Sequence, residues 1–363
     1  MALSRRLSVV LVAVLWFAAG ISASDGDADP IYITCVEECE KTGCIGAICL
    51  QRCNMTSEGK SAKDPWYLQE PLYIKWKKWD CLSGCRYQCM LVMEEEREKA
   101  GDTPVKYHGK WPLKRAFGIE EPAAVAFSAL NLAVQFHGWV SFFILVNYKL
   151  PLRPTRQTYY EYTGLWHIYG TLSMNFLFWS AVYHSRVVEM TEKLNYSSAA
   201  AILGFSLIVA ILRAFSVRSE ATRVMVAAPL IAFVTTHILY LNCYQFDYGC
   251  EFEGMRLIVD TDKNRVSSIP TNEVCLTLAV AQLLVWVVWA GVSNHPSRWK
   301  IRLVSVGECL IVFFQIYDFP PFWGFLDAHG ISHAIAIPIS YIWWGFIHDD
   351  GVYRTTALLK KTK

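Results

Sequence analysis

The chain has 363 residues, 53% of them hydrophobic, and a formal net charge of only +2. That balance points to neither an acidic nor a basic partner and sets nucleic acid aside as an expected ligand. The informative features are the cysteines, the long apolar runs and the few polar groups inside those runs.

Taken in chain order, residues 1–23 combine Arg5 and Arg6, an apolar core too short for a good spanning helix, and small residues up to Ala23. This reads as a secretory signal peptide, which places the following residues in the lumen. Residues 24–121 read as a cysteine-rich lumenal domain. Eight of the twelve cysteines lie there, at Cys35, Cys39, Cys44, Cys49, Cys53, Cys81, Cys85 and Cys89, none in a CxxC zinc spacing. In an oxidising compartment an even set predicts four disulfides. The spacing of four in Cys35/Cys39 and in Cys81/Cys85/Cys89 puts sulfurs on one helix face, while the pairing stays open. Asn54-Met-Thr56 is a sequon that makes Asn54 a candidate glycosylation site.

From Pro122 onward, apolar stretches recur near 123–147, 163–183, 197–216, 224–244, 274–293, 303–319 and 330–347. They predict an all-α membrane protein with seven transmembrane helices over 122–348, following the disulfide-rich lumenal domain. The loops after spans one, three and five carry Lys149, Arg153 and Arg156; Arg213, Arg218 and Arg223; and Arg298, Lys300 and Arg302. Those loops are expected in the cytosol. The even loops are balanced or acidic, as with Glu251, Glu253, Asp260 and Asp262, so the N-terminus is expected in the lumen and the C-terminus in the cytosol. Residues 349–363 then form a cytosolic tail ending Lys360-Lys361-Thr362-Lys363, a dilysine retrieval pattern of the kind coat proteins read. A basic juxtamembrane tail drawn to anionic lipid explains the same lysines equally well.

Polar residues gather at one depth of this plan. His329 and His333 are spaced i, i+4, and so are Ser180 and His184 at the end of the second span, so each pair shares a helix face. Span two ends and span seven begins on the lumenal side. Three neutral imidazoles plus a water give the open coordination of a catalytic zinc, which lowers the water pKa to about 7 for attack on an ester or amide. The alternative is three imidazoles bonded to neighbouring helices or wetted at the boundary, but two helical pairs matched in depth favour a metal site. Asp327, Asp318, His237 and Asp247 also lie near lumenal ends. They fit a supporting shell around the ligands, and helix capping accounts for Asp318 and Asp327 as readily.

Several ordered motifs carry a resemblance across nearly the whole mature chain: WDCLSGCRYQCM (79–90), MNFLFWSAVYHSR (174–186), TEKLNY (191–196), FDYG (246–249), YDFPPFWGFLDAH (317–329) and WWGFIHDD (343–350). The chain resembles the post-GPI attachment to proteins factor 3 (Per1-like) family, within the CREST superfamily of membrane hydrolases. The resemblance implies a multi-pass protein of the endoplasmic reticulum or Golgi that remodels GPI anchors by removing the sn-2 acyl chain. It also implies Zn2+ held by His184, His329 and His333, with Ser180 as oxyanion donor. An aspartate eleven residues after the first histidine would assist the water, but this chain has Asn195 there. A neutral amide cannot take the proton, and losing a positioned base costs about 10²–10⁴-fold in rate.

The sequence departs from the family's pattern elsewhere too, at Val187, Gln315, Ser332, Ile335 and Ala336, and in an insertion over 250–273. Asn195-Tyr-Ser197 also spells a sequon, read as an unmodified interfacial asparagine. The leading expectation is a zinc-dependent, phospholipase A2-like hydrolase of GPI-anchored proteins within membrane lipid, impaired by Asn195. A non-catalytic binder or escort of GPI-anchored cargo is the main alternative. A ceramidase-like amide hydrolase is a third, disfavoured because a small sphingolipid gives the cysteine-rich domain nothing to recognise.

Overall fold

A computed structural model describes residues 25–46, 48–50, 81–152, 158–243 and 271–362. The expected signal segment, Cys53, the Asn54 sequon, Asp247 and most of the 250–273 insertion lie outside the described residues. The chain divides into two compact units, one comprising the residues up to Glu121 with Phe314–His329, the other Pro122–Phe313 with the residues from Gly330.

In the first unit, helix α1 (Pro30–Thr42) starts where Asp29 accepts the Ile31 N–H and Pro30 occupies the first turn. It stops at Gly43, whose left-handed φ of 73° returns its N–H to the Cys39 carbonyl. A two-residue hairpin follows, β1 (Cys44–Ile45) against β2 (Ile48–Cys49), closed by a Cys44–Cys49 disulfide. Helix α2 (Cys81–Ala100) is joined to α1 by Cys35–Cys89 and Cys39–Cys85. One turn forward along α1 is one turn back along α2, so the shared sulfur faces specify an antiparallel pair. Closing the 54-residue separation removes on the order of 4 kcal/mol of unfolded-chain entropy in the loop-closure model. Cys81 is disulfide-bonded as well. Tyr32, Met93 and Tyr107 complete the core around these cystines.

The Phe314–His329 segment of this unit is tied in by Asp318, which accepts the Trp111 indole N–H at 2.7 Å and pairs with Lys106. A bridge between Phe322 and Leu326 encloses Trp323 and Gly324, both at positive φ, and the Gly324 carbonyl accepts the Lys114 N–H at 2.8 Å. This tight turn sets the chain direction just before the last helix.

The second unit is built from α3 (Pro122–Ile144), α4 (Thr163–Ser185), α5 (Glu189–Ala214), α6 (Glu220–Cys243), α7 (Thr271–Val292), α8 (Arg298–Tyr317) and α9 (Ala328–Thr362). Each expected span is thus a helix, and five are long and apolar enough to cross a membrane. The two below that mark are α4, which carries His167, Ser173, Asn175, Ser180 and His184, and α8, which carries Arg298, Lys300, Arg302 and Glu308. Their polar side chains lower the hydropathy. The core is aromatic, with Trp166, Trp286, Trp343, Trp344 and Phe346 packed together. Close approach depends on small residues: a Cβ on Gly138 would stand 2.3 Å from Trp344.

Two helices outrun their expected limits. The third begins at Glu189 rather than 197, which puts Asn195 in its second turn. The last continues to Thr362, so Asp349 and Asp350, expected at the edge of a tail, lie within it. Asp350 is fully buried and accepts two bonds from Arg213 and one from the Tyr160 hydroxyl, which in turn accepts the Trp166 indole N–H at 2.9 Å. That network fixes the helix where hydropathy alone would end it.

Candidate metal centre

Each histidine owes its position to a local device. His184 lies in the last turn of α4, just before the Arg186–Val188 link to α5. Thr191, in the first turn of α5, pins that link: its hydroxyl accepts the Val188 N–H at 3.0 Å and lies 2.9 Å from the carbonyls of Arg186 and Val188. His329 and His333 occupy the first two turns of α9, immediately after the Phe322–Leu326 turn.

The ligand-type nitrogens of His184, His329 and His333 lie within 4.8 Å of one another. Nitrogens around a tetrahedral zinc at 2.0–2.1 Å stand roughly 3.3 Å apart, so the rings are gathered to within small side-chain rotations of that geometry. Among the described residues the group holds imidazoles and no carboxylate, a donor set that suits zinc rather than magnesium or calcium. His184 is 3% exposed, and its ring meets that of His333 edge-on at 5.0 Å between centroids.

The surroundings orient the rings. Ser128 of α3, fully buried, places its Oγ 3.2 Å from His333 Nδ1 and 3.2 Å from Ser180 Oγ. Gln315 places its amide 3.4 Å from His329 Nδ1. A bond donated by the second nitrogen of a metal-binding imidazole fixes its tautomer and ring plane, a role that Ser128 Oγ can fill for His333, whereas the Gln315 amide nitrogen is itself a donor toward His329. Ser128 escapes a sequence reading because one serine in an apolar helix is unremarkable. Its signal is the buried polar stripe Ser128, Asn131 and Gln135 on the inner face of α3. Gln315 stands out in the sequence as a departure from the family's pattern, and its contact with a candidate ligand emerges only in three dimensions.

The other expected site residues are placed as follows. Asn195 sits on α5 with its side-chain Oδ1 buried and without a hydrogen-bond partner among the described residues. His237 lies on α6 with Nε2 likewise buried and unpartnered. Asp318 is engaged by Lys106 and Trp111. Asp327 immediately precedes α9. None of these four is part of the cluster.

The fold and this cluster together define a class: a multi-pass helical membrane protein with an N-terminal disulfide-bonded region and a candidate three-histidine metal centre. Within that class the chain belongs to the Per1-like family, whose model matches residues 71–259 and 271–351. It is 28% identical over 342 residues to the Xenopus tropicalis protein named GPI-specific phospholipase A2-like PGAP3, covering 94% of each chain. The Homo sapiens protein of the same name is 27% identical over 98% of this chain and 97% of its own. The Protein PER1 homolog of Schizosaccharomyces pombe is 28% identical over 94% and 92%.

Proposed function

We propose that the protein remodels GPI anchors by hydrolysing the sn-2 acyl ester of GPI-anchored proteins, at a zinc centre held by His184, His329 and His333. The observation that carries this reading is the convergence of these three imidazoles, with Ser180 joined to them through Ser128, in a chain whose relatives bear the GPI-specific phospholipase A2-like name. A zinc ion bound there would supply Lewis acidity toward a carbonyl and a low-pKa water.

The chain's own residues prepare the rest. Were His333 to hold the metal through Nε2, its Nδ1–H would donate to Ser128 Oγ, Ser128 would donate to Ser180 Oγ, and the Ser180 proton would be left to point at the ester oxygen. That directs a preorganised donor at the charge developing in the transition state. Gln315 sets a neutral amide beside His329, where a glutamate would accept the ring N–H and make the ring more basic. The two acyl chains enter laterally among the helices, with the glycan on the side of the cysteine-rich region. We place the protein in the membrane of the endoplasmic reticulum or Golgi with seven spans, a lumenal N-terminus and a cytosolic dilysine tail open to coat proteins.

A second reading is supported by one specific observation. Asn195 is an amide with its oxygen buried, not a carboxylate, so the proton acceptor implied by family resemblance is absent at that position. On this reading the protein escorts GPI-anchored cargo and the histidine cluster is a structural clamp. The test is fatty-acid release from a diacyl GPI substrate by zinc-supplemented protein in lipid. Turnover by the native chain, lost in His333→Ala, supports the hydrolase. Release only after Asn195→Asp, with a gain of about 10²–10⁴-fold, supports the escort.

A further inference from the structure

Helices α3, α8 and α9 enclose a second cavity, of about 280 Å³, that shares no lining residue with the histidine cluster. On α9 it spans Tyr341 to His348, roughly 12–22 Å along the helix from His333. It lies at the end of the bundle that carries Lys149, Arg298 and Arg302.

Its floor is Trp344, 4% exposed, whose indole N–H is committed to Gln135 Oε1 at 2.6 Å and whose ring packs over Gly138. Its rim is formed by Trp299 and Tyr341, 53% and 65% exposed, the side chains favoured where hydrocarbon meets water. Between floor and rim, His137, Ser141, Lys300 and His348 set polar groups into a lining otherwise formed by apolar residues such as Val134, Phe142 and Ile342. Lys300 is drawn in over Gly345, where a Cβ would stand 3.2 Å from its Nζ. An ammonium has three donors, and two of these are spent on Asp349 at 2.7 Å and the Gly345 carbonyl at 3.1 Å.

His137 and Ser141, one turn apart on α3, and His348 on α9 have no hydrogen-bond partner among the described residues. Lys149 and Lys300 both lie within electrostatic reach of His348, against the single carboxylate of Asp349. The cavity therefore presents several unspent donors, with two lysines against one carboxylate around His348, and two of its three helices, α3 and α9, are apolar enough to span a membrane. Polar groups in that setting need a partner rich in acceptor oxygens, attached to something that stays in hydrocarbon. The volume falls just under the usual range for drug-sized ligands, which suits a headgroup whose acyl chains remain outside.

We propose that this groove binds the phosphate-bearing headgroup of an anionic membrane phospholipid, with His137, Ser141, Lys300 and His348 as donors and Trp299 and Tyr341 at the lipid boundary. The site is independent of the hydrolase reading.

The test equilibrates the purified full-length protein with vesicles of phosphatidylcholine containing a minor fraction of phosphatidylinositol, then measures retained lipid per chain by mass spectrometry. Phosphatidylinositol should be retained above its bulk fraction and survive excess inorganic phosphate. Retention should fall about tenfold in His137→Leu and in Lys300→Gln, the effect of one hydrogen bond to a charged group. His333→Ala should leave it unchanged. Because His137 is exposed, His137→Leu reports on the site without burdening the fold. Retention at the bulk fraction, equal retention in both variants, or displacement by inorganic phosphate would each overturn the proposal.

Discussion

Toward one end, α9 presents Asp350 to Arg213, Tyr160 and His295; at the other it presents His333 to His184 and, through Ser128, to Ser180. Both clusters are buried polar groups in a helical bundle, and hydropathy does not tell them apart. Their chemistry does. Around Asp350 opposite charges meet and the carboxylate oxygens are bonded, so the cluster is closed on itself. The histidine cluster gathers groups of one kind, all electron-pair donors, beside the hydroxyls of Ser128 and Ser180. Among the described residues such a set holds no carboxylate, and it fits a shared cation. Buried polarity in a membrane marks function by default, and this contrast shows why complementarity within the cluster must be read first.

Substitutions at the two ends should therefore fail in different ways. The largest effect is expected from His184→Ala, which removes one of three ligands: bound zinc and fatty-acid release should both vanish while circular dichroism stays native. Loss of helical structure in that variant would make the cluster a clamp. Next comes Asp350→Asn, which strands a buried guanidinium and should cost about 3–5 kcal/mol, seen as a lowered unfolding temperature with zinc content unchanged in the protein that remains folded. Third is Ser128→Ala, expected to weaken zinc binding about 10–100-fold in a chelator competition without altering thermal stability by a comparable factor. Ser128→Thr should restore the affinity, and Ser173→Ala, equally buried on α4, should do nothing to it.

The smallest effect belongs to the disulfide-bonded region. The Tyr32 phenol, whose hydroxyl lies 3.2 Å from His108 Nε2, is pushed up to about 12 by burial and then by the Asp27 carboxylate. A folded value above the unfolded value of about 10 means that the stabilisation is complete below pH 10 and lost as pH rises toward 12. Tyrosinate absorbance should show this late titration, and Tyr32→Phe should remove it. The two cystines between α1 and α2 keep the accompanying structural change small.

Much of the candidate metal centre is legible in the sequence because it depends on local periodicity. Two i, i+4 pairs need only a helix to align them, and the fold gathers the three histidines they contain. The sulfur faces of α1 and α2 are legible for the same reason, but their pairing is not, since an antiparallel match of Cys35 with Cys89 and Cys39 with Cys85 is a tertiary fact. Ser128 and Gln315 escape for that reason as well: each acts through a partner roughly 200 or 14 positions away that spacing does not reveal. The far end of α9 is missed because Asp349 and Asp350 look like the polar edge of a span. Arg213, 137 positions earlier, and Tyr160 hold Asp350 inside the helix, and Lys300 and Ser297 hold Asp349.

The most direct measurement determines metal content and sn-2 fatty-acid release on one preparation of the native chain, beside His329→Ala. About one zinc per chain together with release, both lost in the variant, is the expected result. A native chain that is folded yet binds no zinc in the presence of excess metal would contradict the assignment of the three histidines as a metal centre.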